Sequence, residues 1–137
     1  TGTGKTHTML GSQESLQADV KHEDWGILPR VMDACFNQIK AKQGQVSYIV
    51  TLSALEFYLG ICFDLLNHHI PIDIGADGSS LGMEMRVVED LAGVYKFLAD
   101  VKANRTTAAT KMNTESSRSH CALLVSLFQL DHSTRSY

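Results

Sequence analysis

Long apolar runs are missing from this 137-residue chain. None approaches the roughly 20 residues of a membrane-spanning helix, so no membrane partner is expected. The opening residues lack the charged, apolar and small-residue succession of a secretory signal, and none is expected. Cysteine is scarce: there are three, Cys35, Cys62 and Cys121, and no two form a CxxC pair. Neither a disulfide framework nor a cysteine metal site is expected, and reduced thiols in a cytoplasmic protein are the plain expectation. Positive charge is not in excess. Lys plus Arg number 12 against 15 for Asp plus Glu, a net charge of −3 and a pI near 6.0. That balance argues against a chain-wide basic nucleic-acid binder; no nucleic-acid partner is expected, and any anionic partner would have to be held by a local patch. Internal repeats and low-complexity segments are also lacking.

What is present suits a packed domain. Hydrophobic residues make up 44% and charged residues 20% of the chain, enough apolar material for a core. Residues 4–11 read as a short helix closed by Gly11. Residues 12–25 are polar and acidic, a surface loop. From Gly26 to Ala41 the positions Leu28, Val31, Met32, Cys35, Phe36 and Ile39 recur at helical spacing, with Pro29 in the first turn. Residues 46–55 are β-branched and apolar, a strand that could run on to Tyr58. Ile61 to Leu66 is too short to assign to helix or strand, and 67–82 is a region of turns and short strands. Met83 to Val88 reads as a small strand. Asp90 can cap a helix with the stripe Leu91, Val94, Tyr95, Leu98 and Val101, ending near Asn104 or Arg105. Residues 106–120 read as a loop. The nearly continuous apolar run 122–130 reads as a strand in the middle of a sheet, covered on both faces. The alternation gives an α/β class with a partly parallel sheet.

Two short segments carry chemistry. Residues 1–6, Thr-Gly-Thr-Gly-Lys-Thr, are the second half of the phosphate-binding loop GxxxxGK[ST]. Glycines let successive backbone N–H groups face phosphate oxygens, Lys5 would neutralise β- and γ-phosphates, and the Thr6 hydroxyl would ligate Mg²⁺. Residues 113–120, Asn-Thr-Glu-Ser-Ser-Arg-Ser-His, place three serines, an arginine and a histidine just before a strand. Several hydroxyls and a fork of donors at one point suit a phosphate and its metal. Each segment alone could equally be a polar turn. The adjacent His68 and His69 lack spaced partners and are weak evidence for a metal. Cys62 and Cys121 fall in apolar stretches and are expected in the core, and Met83 and Met85 in the core or the hairpin.

Together the two segments resemble the kinesin motor domain. Thr1 to Gly11 (TGTGKTHTMLG) is similar to the kinesin phosphate loop and its helix. Gly26 to Arg30 (GILPR) resembles the segment that resumes that helix. Val46 to Leu66 resembles a strand and turn of the family, and Asn104 to His120 (NRTTAATKMNTESSRSH) its first switch. The resemblance covers nearly all of residues 1–137 as one partial motor domain. It implies a P-loop NTPase-type central mixed sheet with flanking helices, incomplete, roughly the middle part of the domain. It implies ATP and Mg²⁺ held by Gly2, Thr3, Gly4, Lys5, Thr6 and His7, with His7 against the adenine. Asn113, Ser116, Ser117 and Arg118 would be the catalytic first switch, with Thr6 and Ser117 on the metal. Ser119 and His120 would shape that loop. The implied activity is ATP hydrolysis by a microtubule motor of the cytoskeleton, without a covalent enzyme intermediate. A homodimer would need a coiled coil outside these residues.

The departures from the family are equally specific. The first glycine of the phosphate loop, the DxxGxE second switch and the main microtubule-binding helices have no counterpart here. Arg118 therefore lacks its partner glutamate. Asn67 to Met85, matching a microtubule-touching hairpin, has no Lys or Arg and carries Asp73, Asp77 and Glu84. Against an acidic tubulin surface it would attract little. The strands at 46–55 and 122–130 would lack neighbours, so the isolated residues are expected to fold poorly and turn over little ATP. The alternative function is a non-hydrolysing, kinesin-like module that binds a partner. An unrelated P-loop kinase or small-molecule NTPase is disfavoured by the NTESSRSH loop.

Overall fold

The computed structural model describes residues 4–17, 22–42, 44, 46–80, 82–112 and 119–131, with backbone alone at 106–112 and 131. Three α-helices are described, α1 (Lys5–Leu10), α2 (Ile27–Ala41) and α3 (Leu91–Met112). The strands are β1 (Val46–Tyr58), β2 (Ile61–Asp64), β3 (Ile70–Ile72), β4 (Arg86–Val87) and β5 (Ser119–Asp131). They form one five-stranded sheet in the order β3-β2-β1-β4, with β5 also paired to β1. Pairing of β1 with β2 and of β2 with β3 is antiparallel. The chain divides into two compact units.

The first unit holds residues 1–50, 87–96 and 126–137. Its core is built on α2, where Leu28, Met32 and Phe36 follow one another at four-residue spacing and are all buried. Trp25, Val50, Val88 and Val94 are also buried in this unit. Pro29 sits in the first turn of α2, where a missing N–H costs nothing. Two glycines let α1 and α2 meet. A Cβ on Gly11 would lie 2.2 Å from the Asp24 carbonyl oxygen, and one on Gly26 would lie 2.4 Å from the Leu10 nitrogen. Only backbone without side chains can approach so closely, and Gly11 pairs with Trp25 in a single antiparallel bridge. Trp25 was expected in a surface loop. Its indole is buried instead, because the loop's own Ser15 carbonyl accepts the indole N–H at 2.8 Å.

The second unit holds residues 51–86 and 97–125. The β1–β2 hairpin turns at Leu59 (φ 49°) and Gly60 (φ 80°), and Tyr58 pairs with Ile61. Two positive φ angles are what a two-residue hairpin needs to match strand twist. Asp64 ends β2 fully buried. Its Oδ1 accepts the N–H of Leu66 at 2.8 Å and of Asn67 at 3.3 Å, and its Oδ2 accepts that of Glu84 at 2.7 Å. The Asn104 side chain donates to the Leu65 carbonyl at 2.7 Å, holding this turn against α3. Leu52, Leu55, Leu65, Phe97, Leu98 and Val101 form the apolar centre.

Asp90 caps α3 as expected: its Oδ1 accepts the Gly93 N–H at 2.8 Å. Four expectations are corrected. The helix does not end near Asn104 or Arg105 but runs to Met112, so 106–112 is helix rather than loop. The strand covered on both faces is β1, buried without a break from Val50 to Glu56. β5 begins earlier than expected, at Ser119, and exposes Val125, Leu127 and Phe128. Its greasy sequence marks a surface that these residues do not cover. Cys121 is accordingly exposed, whereas Cys62 is buried as expected. Met85 is also exposed.

Candidate functional site

The first candidate site lies at the start of α1. Gly4 caps the helix in the left-handed region (φ 74°, ψ 7°), a conformation that opposes any Cβ. Its carbonyl accepts the Thr8 N–H at 2.8 Å, so the helix begins at once after the glycine. No side chain among the described residues caps this end. Among the described residues nothing beyond its chain neighbours and the helix's own backbone lies within 4 Å of where a Cβ on Gly4 would stand. Lys5, Thr6 and His7 are all exposed. An ammonium, a hydroxyl and an imidazole therefore stand in consecutive positions after a glycine bend, a donor set suited to phosphate oxygens and a hard cation. Gly2 and Thr3 lie outside the described residues.

The hydroxyl-rich segment is only partly described. Asn113, Ser116, Ser117 and Arg118 lie outside the described residues, and Ser119 and His120 open β5. The residues that bracket the segment meet at a group the sequence did not single out. Glu56, on β1, is only 5% exposed. Its Oε1 accepts Arg105 Nε at 2.9 Å, and its Oε2 lies 2.8 Å from His69 Nε2. Arg105 Nη2 donates to the Ser119 hydroxyl at 2.8 Å. Burial would raise the Glu56 carboxyl. The hydrogen bonds from Arg105, His69 and Ser119, with the Arg105 charge, outweigh it and hold the group below the ordinary carboxylate range. The ring of His69 stacks on Phe63, with centroids 4.3 Å apart. His69 is thus occupied by Glu56 and Phe63, and no metal-binding group of His, Cys, Asp or Glu occurs among the described residues. Burial, and then the nearby Asp64 charge, pushes the Cys62 thiol up.

The signal for this cluster was present but faint. Glu56 is the one acidic residue in the apolar run of β1, and an ionised group there needs a buried partner. The partner, Arg105, is 49 residues away and could not be read from spacing.

Over its whole length, residues 1–137, the chain matches the model of the kinesin motor domain. The chain belongs to the kinesin motor domain family. It is 37% identical over 133 residues to kinesin-like protein KIF22 of Danio rerio, spanning 91% of this chain and 20% of that protein. Kinesin-related protein 13 of Dictyostelium discoideum is 35% identical over 136 residues, spanning 93% of this chain and 10% of that protein. The solved structure of a fast kinesin superposes with a TM-score of 0.82 at 29% identity, over 99% of this chain and 38% of that one. The chain therefore spans a fifth or less of these two curated relatives and well under half of that solved kinesin. The expected α/β fold holds: a central mixed sheet with flanking helices, incomplete relative to the kinesin motor.

Proposed function

We propose that residues 1–137 are the segment of one ATP-driven microtubule motor domain that runs from phosphate loop to first switch. The observation that carries this reading is the left-handed Gly4 leading directly into a helix that presents Lys5 and Thr6. In that role Gly2, Thr3 and Gly4 give backbone N–H donors to the nucleotide phosphates. Lys5 neutralises their charge, and His7 lies against the base. Thr6 and Ser117 are the residues to hold Mg²⁺, which when bound neutralises charge on the β- and γ-phosphates. Asn113, Ser116 and Ser117 orient the γ-phosphate and the attacking water, and Arg118 links this loop to the second switch. Loss of the γ-phosphate then removes contacts from the switch loop, and that change is what a motor passes to its track. Microtubules would be the partner, and the cytoskeleton the place of action.

A second reading has one specific support. Asp73, Asp77 and Glu84 are all exposed on a segment with no Lys or Arg, which favours a partner-binding module over tight microtubule contact. The test is microtubule-stimulated phosphate release from the full protein, with Lys5→Ala beside it. The motor reading expects release that rises with microtubules and is abolished by Lys5→Ala. Nucleotide binding with no release at any microtubule concentration would favour the second reading.

A further inference from the structure

The second unit carries an apolar face edged by carboxylates. β3 ends the strand order, and no strand among the described residues lies beyond it. Phe57, Cys62 and Ile72 stand opposite one another across β1, β2 and β3, and Asp64 stands opposite Ile70. Paired positions point to one side of a sheet, as do positions two apart, so Phe57, Ile70, Ile72 and the Asp64 carboxylate share a face. Asp64 Oδ2 accepts the Glu84 N–H at 2.7 Å, which brings the chain at Glu84 and Met85 onto that face. Two residues past Ile72, Ile74 is bridged to Ser80, and the Gly75 N–H donates to the Ser79 carbonyl at 2.7 Å. Phe57 is 38%, Ile70 41%, Ile74 40% and Met85 54% exposed. Asp73, Asp77 and Glu84 are exposed on the same segment. The Ser79 hydroxyl and N–H hold the Asp77 carboxyl below the ordinary carboxylate range, so it stays charged. No Lys or Arg occurs in residues 43–85, and the next cation, Arg86, is paired with Asp100.

We propose that this face docks a basic amphipathic helix of a partner protein, whose apolar side meets Phe57, Ile70, Ile74 and Met85 and whose Lys or Arg residues meet Asp73, Asp77 and Glu84. The proposal rests on the partner-binding reading of this segment and names the partner's chemistry; it needs a binding face and not a loss of hydrolysis. Charge complementarity selects the occupant. An acidic partner, tubulin included, is repelled by the three carboxylates. A second copy related by a two-fold axis would set the same three carboxylates against them. Strand addition is opposed at the centre of the outer strand, because Pro71 has no N–H to give to a ladder. A helix asks no backbone donor of the face it lies on, and its side chains at i, i+3, i+4 and i+7 supply the anchors.

The experiment measures fluorescence anisotropy of a labelled leucine–lysine peptide in amphipathic helical order, titrated with the full protein. The same residues in scrambled order and a leucine–glutamate counterpart are run beside it. Wild type is compared with a charge variant, Asp73→Asn/Asp77→Asn/Glu84→Gln, and an apolar variant, Ile74→Ser/Met85→Ser. All five side chains are exposed, and asparagine at 77 keeps the acceptor for Ser79, so melting temperatures should match wild type. The ordered leucine–lysine peptide is expected to bind, and each variant to weaken it about tenfold. Salt should weaken binding more in wild type than in the charge variant. Equal binding of the ordered and scrambled peptides overturns the proposal, as does binding unchanged in the apolar variant. Absence of peptide binding overturns it too, and self-association lost in the apolar variant would then assign the face to a second copy. Microtubule-stimulated phosphate release alongside intact peptide binding overturns the non-hydrolysing reading and leaves the proposal standing. Neither release nor peptide binding overturns the proposal and leaves that reading.

Discussion

The indole N–H of Trp25 donates to the Ser15 carbonyl at 2.8 Å, and both residues are buried. Ser15 is held in turn: its hydroxyl donates to the Ser12 carbonyl at 2.7 Å. Arg30, from the first turns of α2, donates through Nε to the Trp25 carbonyl at 2.8 Å. The described ends of an acidic loop are thereby fastened to a helix. Trp25→Phe keeps the apolar body and removes only the indole donor. It is expected to lower the stability of the first unit by about 1 kcal/mol, with the Ser15 carbonyl left unpaired. Urea unfolding followed by circular dichroism checks this. Trp25 is also the single tryptophan, so wild-type fluorescence should be blue-shifted and shift red on unfolding.

Gly26 has an ordinary φ of −74°, so a side chain there is opposed by contact alone. An added Cβ would meet the Met9 carbonyl carbon and the Leu10 nitrogen, both at 2.4 Å. These are backbone atoms and cannot swing aside. Gly26→Ala should therefore force α1 from α2 and cost about 1–3 kcal/mol or more. Amide exchange at residues 7–11 reads the effect directly. Unchanged protection there would contradict it.

The Thr51 hydroxyl is buried in β1 and has no hydrogen-bond partner among the described residues. Valine has nearly the same shape and is at home in a strand. Thr51→Val should stabilise the protein by about 1 kcal/mol, because a desolvated polar atom is removed and nothing is left unpaired. Thermal melts of the two proteins decide the sign.

Glu56 should make the second unit sensitive to acid. Its folded value is held below the ordinary carboxylate range, so its contribution is fully present above the unfolded value. The contribution is lost as pH falls through the folded value. The melting temperature should thus drop below about pH 4.5, the region of an ordinary glutamate. Glu56→Gln should melt lower at pH 7, by about 1–3 kcal/mol for a buried charged hydrogen bond, and show a shallower acid limb. An acid limb as steep in the variant as in wild type would rule Glu56 out as its source.

Local chemistry made much of this protein legible in advance. The Gly4-Lys5-Thr6 turn into a helix, the α2 stripe through Leu28, Met32 and Phe36, and the Asp90 cap each depend on residues within two turns of one another. The family was legible too, from short motifs taken together in their order along the chain. Tertiary structure alone decided which apolar strand is covered. β1 and β5 are both rich in apolar residues and are paired to each other, yet β1 is buried at seven consecutive positions while β5 leaves Leu127 and Phe128 half exposed. Composition cannot tell a buried strand from one awaiting a neighbour. It also could not pair Glu56 with Arg105 and Ser119, because an ion pair is a matter of distance in space and leaves no period in the sequence.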